Sequence, residues 1–189
     1  MRLDSLKEIA YSVEHMPIPE FIKSLRAKIG ADLLQVSTAT VMAYDDRGRL
    51  LLVKDMTSGL WGPSSGIVEI RMSCWPTRPY GKRGRRRGVF VELTHVLGIF
   101  AGEHFSGVYP NGDQLSAVAT VFAGRPISGT PRADHDETSD AKFFHPSEIG
   151  HLSCYPHFHK ILSAVGHRPL RPYFKPATWC PRGPSGVLG

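Results

Sequence analysis

Residues 70–87, IRMSCWPTRPYGKRGRRR, follow neither the two-residue alternation of a half-buried strand nor the 3.6-residue repeat of an amphipathic helix. The run holds seven cations and no Asp or Glu. On either side the patterning is clear: GLWGPSSGIVE closes one strand-like segment at Glu69, and GVFVELTHVLGIFAG opens another at Gly88. The fold must therefore be assembled from the two patterned halves, and the function depends on what lies between them.

In the first half, Leu3, Leu6, Ile9, Ala10 and Val13 share a helical face over residues 3–14, and Pro17 and Pro19 interrupt it. Pro19 suits the first position of a second helix, in which Phe21, Ile22, Leu25 and Ile29 share a face and Gly30 provides the stop. Residues 1–30 thus read as a helical arm, packed on the domain or on a partner subunit. From Ser37, TATVMAY is rich in β-formers, Asp45 to Gly48 is a turn and RLLLVKD is a second strand, which predicts a hairpin.

In the second half, VFVELTHVLGIFAGEHF and QLSAVATVFAGRPI form a predicted antiparallel pair joined by a turn at Tyr109 to Asp113, with Asp113 as a turn residue. KFFHPSEI (residues 142–149) is a short strand running into a helix at Pro146. Residues 31–165 make one domain, interrupted at 70–87. Residues 166–189, with five prolines and no period, read as a loosely ordered tail.

With 189 residues, 41% of them hydrophobic, the chain is long enough for one domain with its own core. A net charge of +6 would ordinarily suggest a polyanionic partner, but the seven cations of one segment account for it, so nucleic acid is not the expected partner. Three irregularly spaced cysteines make no disulfide framework. The N-terminus lacks a signal-peptide core, and no run approaches the roughly 20 apolar residues that span a bilayer, so the expected location is the cytoplasm, away from membranes.

The run from Gly59 to Glu69 and its continuation at Gly88 resemble the Nudix hydrolases, whose signature is G-x5-E-x7-R-E-U-x-E-E-x-G-U with U apolar. Gly66 matches the first glycine, and Gly88 with Val89 the last two positions. The resemblance covers residues 17–150, including YPNGD and DETSDAKFFHPSEI. It implies an α/β/α sandwich with a mixed sheet. It also implies Mg²⁺-dependent hydrolysis, with Mn²⁺ as the alternative metal, of a nucleoside diphosphate linked to another group, ADP-ribose-like or a nucleotide sugar. In that family the middle of the box is a helix whose carboxylates share one face and hold the metal against a pyrophosphate. Here the middle has none.

A displaced reading frame would account for the loss. Joining the third base of each codon to the first two of the next, with synonymous codons chosen freely, converts residues 70–88 into PDELLADAAVREAWEETG, which satisfies every fixed position of the box. Met72 and Trp75 have single codons, so Cys74-Trp75 must give Leu, Trp75-Pro76 must give Ala, and Tyr80-Gly81 gives only Arg or Trp. The exchange removes seven cations and brings six acids and one arginine, carrying the formal charge from +6 to −6. Without those acids the chemistry should be impaired, and the sheet should lose an apolar cover.

Following the resemblance, Glu69 is a candidate catalytic residue and metal ligand. Glu137 and Asp136 are candidates for a base and a ligand supplied from outside the box, though an exposed acidic loop is the plainer account of DHDETSD. Gly66 would let backbone approach a phosphate or take a strained turn. Lys54, at the end of a strand directed toward the box, could meet a phosphate oxygen. Trp61, Phe105 and Tyr109 offer aromatic faces to a nucleobase, and core packing explains Trp61 equally well. Cys154, His157 and His159 lack a fourth ligand and a zinc-like pair spacing. Arg83 to Arg87, RGRRR, read as a solvated loop. Two other functions stay open: a Nudix module that binds nucleotides without cleaving them, and a basic nucleic-acid-binding protein. A homodimer is compatible with each.

Overall fold

β-Rich runs from both halves build two sheets. The computed structural model describes residues 19–68, 88–109, 111–167 and 171–173. The expected helix at 3–14, Glu69 with the segment 70–87, and most of the tail lie outside the described residues. The larger sheet contains β1 (Leu34–Ala43), β4 (Ser64–Ile67), β5 (Val89–Phe100), β6 (Ser106–Val108) and β7 (Gln114–Gly129) in the order β4-β1-β7-β5, with β6 also on β7. The smaller contains β2 (Leu50–Asp55), β3 (Trp61–Gly62) and β8 (Thr138–Phe144) in the order β3-β2-β8.

β1 and β7 run parallel from Leu34 opposite Leu115 to Ala43 opposite Gly124, while β4 and β5 flank them antiparallel, so the sheet is mixed, as the resemblance implies. Residues 39–43 of β1 are all buried, as befits a parallel strand covered on both faces. The predicted pairing of VFVELTHVLGIF with QLSAVATVFAGRPI is β5 on β7. KFFHPSEI runs from β8 into α2 (Pro146–Ile149), capped by His145, whose backbone N–H donates to the Glu148 carboxylate at 2.6 Å. Helix α1 (Glu20–Ile29) follows Pro19, ends at Gly30 and packs Ile22 against Val36 and Leu115 of its own domain.

The predicted hairpin is not formed. Its turn exists, with the Gly48 N–H donating to the Asp45 carbonyl at 2.8 Å and the Asp45 carboxylate accepting the N–H groups of Arg47 and Arg49. Burial opposes ionisation of Asp45, but the Arg49 backbone and guanidinium and the Arg47 amide outweigh it and lower its pKa. Beyond one bridge between Tyr44 and Leu50, however, β1 enters the larger sheet and β2 the smaller. The physical reason is that Leu50, Leu51 and Leu52 are all buried: Leu50 and Leu52 enter the main core and Leu51 a second cluster with Val41, Ala43 and Val89. A strand apolar on both faces needs cover on both sides, which a solvated hairpin does not give.

Helix α3 (Pro156–Val165) has no counterpart in the sequence reading. Phe158 and Ile161 are buried in the main core with Met42 and Val121, and Leu162 and Val165 pack against it. Their spacing of three and four residues is the signal, obscured by the His-rich surroundings.

Candidate functional site

The described chain stops at Val68, just past β4, and resumes at Gly88, just before β5. A small cleft between the sheets lies at this break, lined by Leu51 and Val53 of β2, Ser64, Val89, Thr138 and Ala141 of β8 and, from the loop before β8, Pro131 and Arg132. Both flanks of the box-like motif therefore reach one cleft, and Thr138, the residue after Glu137, lines it as well.

The two motif glycines have different local duties. Gly88 has φ +73°, and a Cβ there would sit 1.9 Å from the Thr130 carbonyl oxygen; Gly129, at φ +90°, would place a Cβ 1.5 Å from the Gly88 carbonyl oxygen. Only glycine permits this close backbone approach at the start of β5. Gly66 pairs with Ala39 on edge strand β4 and has no atom within 4 Å of a built Cβ. Neither strain nor crowding requires a glycine at that position.

In the acidic loop, Asp134 is the organiser: one carboxylate oxygen accepts the N–H groups of Asp136, Glu137 and Thr138 and the Thr138 hydroxyl at 2.9–3.1 Å. Asp136 is exposed and Glu137 half-buried, and the Glu137 carbonyl accepts the Met56 N–H. Lys54 stands opposite Trp61 on β3 and Asp140 on β8, its Cε near Gly59. The Asp140 carboxylate is held below the usual range chiefly by Lys142, with its own burial opposing and Lys54 contributing. Beside this strand end the sequence reading missed a polar chain, in which the Asp55 carboxylate accepts the Ser58 hydroxyl at 2.9 Å and the Ser58 oxygen lies 3.0 Å from the Tyr155 hydroxyl. Burial, the leading cause, pushes Tyr155 up to about 12.

The three aromatic candidates are not brought together at the cleft. Trp61 lies in the main core, edge-on to Phe144 at 4.8 Å. Phe105 is in the same core between Phe100 and His157, and Tyr109 packs on the cluster beneath α1. Burial pushes the Cys154 thiol up to about 11 and His157 down to about 4, while His159 is exposed. Among the described residues no three His, Cys, Asp or Glu side chains converge as a metal site, and no helix is long and apolar enough to cross a membrane.

Neither a family model nor a curated protein sequence matches the chain. Solved structures do. A Nudix hydrolase from Nitrosomonas europaea aligns with TM-score 0.53 at 18% identity, over 72% of this chain and 94% of that one. A UDP-X diphosphatase aligns with TM-score 0.51 at 19% identity, over 79% and 72%. An ADP-ribose pyrophosphatase from Streptococcus suis aligns with TM-score 0.50 at 16% identity, over 67% and 84%. The mixed sheet, its flanking helices and these alignments together give the chain the fold of the Nudix hydrolases.

Proposed function

We propose that the chain derives from a hydrolase of nucleoside diphosphate derivatives, with ADP-ribose-like compounds or nucleotide sugars as substrates, and that its chemistry is impaired by residues 70–87. The carrying observation is the meeting of the two motif flanks at one cleft, with Ser64 two residues before Gly66 and Val89 directly after Gly88. The names of the structural neighbours, a UDP-X diphosphatase and an ADP-ribose pyrophosphatase, support the substrate class.

Carboxylate oxygens are the donors that Mg²⁺ or Mn²⁺ requires. Asp136 and Glu137 offer two carboxylates in the run that ends at Thr138, Asp134 spends an oxygen on its own loop, and no group of three such donors converges among the described residues. That set does not fit a Mg²⁺ centre. Glu69 would add one more acid, whereas the seven cations that follow it would repel a divalent cation.

Two proteins test the proposal: the chain as it stands, and a version with PDELLADAAVREAWEETG in place of residues 70–88. Each is assayed with ADP-ribose and a nucleotide sugar in Mg²⁺, following nucleoside monophosphate release. The in-frame version should turn over, and the original should be slower by more than about 100-fold, the scale on which preorganised charged groups act. Comparable rates would overturn the impairment. No product from the in-frame version would overturn the hydrolase assignment, and nucleotide binding without product would favour a binding module.

A further inference from the structure

Strand β5 forms the outer edge of the larger sheet among the described residues, and such an edge presents unpaired backbone groups to other chains. Natural edges are blunted by Lys, Pro, bulges or a covering segment. Residues 96–100, VLGIF, contain neither Lys nor Pro, and Val96 and Ile99 are 38% and 69% exposed.

The strand bulges here: Val96 stands opposite Phe122 and Gly98 opposite Val121, leaving Leu97 as the extra residue. The Leu97 side chain is fully buried, and its carbonyl accepts the Tyr173 N–H at 2.6 Å. The Tyr173 ring stacks on Phe100 with centroids 5.9 Å apart and planes 5° from parallel. Gly98 makes room for both, since a Cβ there would meet Phe100 Cε2 at 2.9 Å and the Tyr173 carbonyl oxygen at 3.6 Å. Backbone, ring and missing side chain thus form a seat that Tyr173 occupies.

We propose that residues 171–173 are a built-in clamp on the β5 edge, and that releasing them lets β5 pair antiparallel with β5 of a second copy. Such pairing about a twofold axis sets Val96 and Ile99 of one copy beside the same residues of the other, so one apolar edge is complementary to itself. The clamp does not depend on the proposed chemistry, because neither Tyr173 nor β5 beyond Val89 lines the cleft.

Full-length wild type, Tyr173→Phe, Tyr173→Ala and the double variant Tyr173→Ala/Ile99→Lys are compared by sedimentation velocity across a wide concentration range. Tyr173→Phe keeps the ring and should match wild type. Tyr173→Ala should self-associate at least about tenfold more tightly, and Ile99→Lys, a charge on the freed edge, should reverse the gain. Unchanged association in Tyr173→Ala, or a gain that persists with Ile99→Lys, would overturn the proposal. Hydrogen exchange on wild type gives a readout independent of variant folding: the Tyr173 amide should be protected, and free exchange there refutes the clamp.

Discussion

Gly88→Ala and Gly66→Ala separate two roles that the motif pattern alone treats alike. At Gly88 the alanine must hold φ near +73°, costing about 1–2 kcal/mol for an L-residue in the left-handed region. Its Cβ would also sit 1.9 Å from the carbonyl oxygen of Thr130, the residue after Gly129, which pairs with Val89 at the end of the β5–β7 ladder. Relieving that overlap requires a shift of more than an ångström where Gly129 already meets Gly88, so a total of at least about 3 kcal/mol is expected. For a chain of this size that corresponds to a fall in Tm of roughly 6–12 °C. At Gly66, with open space and no unusual φ, alanine should change stability by less than about 0.5 kcal/mol. Urea unfolding followed by tryptophan fluorescence and circular dichroism measures both. Gly88→Ala within about 0.5 kcal/mol of wild type would refute the steric argument. A large loss at Gly66 would refute the finding that neither strain nor crowding requires a glycine there.

Stability should fall with acid through His157. Burial lowers its pKa to about 4 against 6.5 in the open chain, so between these values the unfolded state binds the extra proton; the contribution is complete above about 6.5 and lost on descent to about 4, an effect of a few kcal/mol at most. Urea midpoints at several pH values should show the slope in wild type and a reduced one in His157→Gln, and equal slopes would count against it. Buried Cys154, with its thiol pushed up to about 11, should resist Ellman's reagent in native protein at mildly alkaline pH and react on unfolding. Rapid native labelling of Cys154, identified by peptide mass, would contradict that burial. Phe158→Ala should cost about 3–5 kcal/mol, because the ring is completely enclosed in the main core; a loss below about 1 kcal/mol in urea unfolding would contradict its place there.

Elements with a single strong period were legible in the sequence, and those whose neighbours decide their partners were not. VFVELTHVLGIF and QLSAVATVFAGRPI are long and β-rich and pair as the pattern suggests, although the turn at 109–113 joins β7 to the short β6 rather than to β5 itself. A turn joins TATVMAY to RLLLVKD, which makes a hairpin the expectation, yet the burial of both faces of LLL sends β2 to another sheet. Gly88 could be picked out as a motif glycine, but the strain that requires it comes from Gly129 and Thr130, some forty residues away. Trp61 illustrates the converse: a stacking residue and a core residue look the same in one dimension, and contact with Phe144 marks the latter.

The cross-strand register also bears on the interrupted segment. Gly66, Ala39, Thr120 and Ile99 stand in one row across the larger sheet, and Ser64, Val41, Phe122 and Val96 in the next, so these side chains share a face. The opposite face carries Met42, Ala123 and Val121 into the core that Phe158 and Ile161 seal. The first face is unevenly closed: Val41 is buried, yet Ile99 remains 69% and Val96 38% exposed. An α/β/α layering requires an apolar helix face on each side of the sheet. PDELLADAAVREAWEETG offers one, whereas residues 70–87 have no apolar period to offer. Covering the exposed parts of Ile99 and Val96 would contribute about 2 kcal/mol, as full burial of such side chains is worth about 1.5–3 kcal/mol each. The in-frame version should therefore unfold at higher urea and bind less of the apolar dye ANS than the original chain. Equal dye binding and equal urea midpoints would mean that this face needs no helix from residues 70–88, and the packing argument for a displaced frame would fall with it.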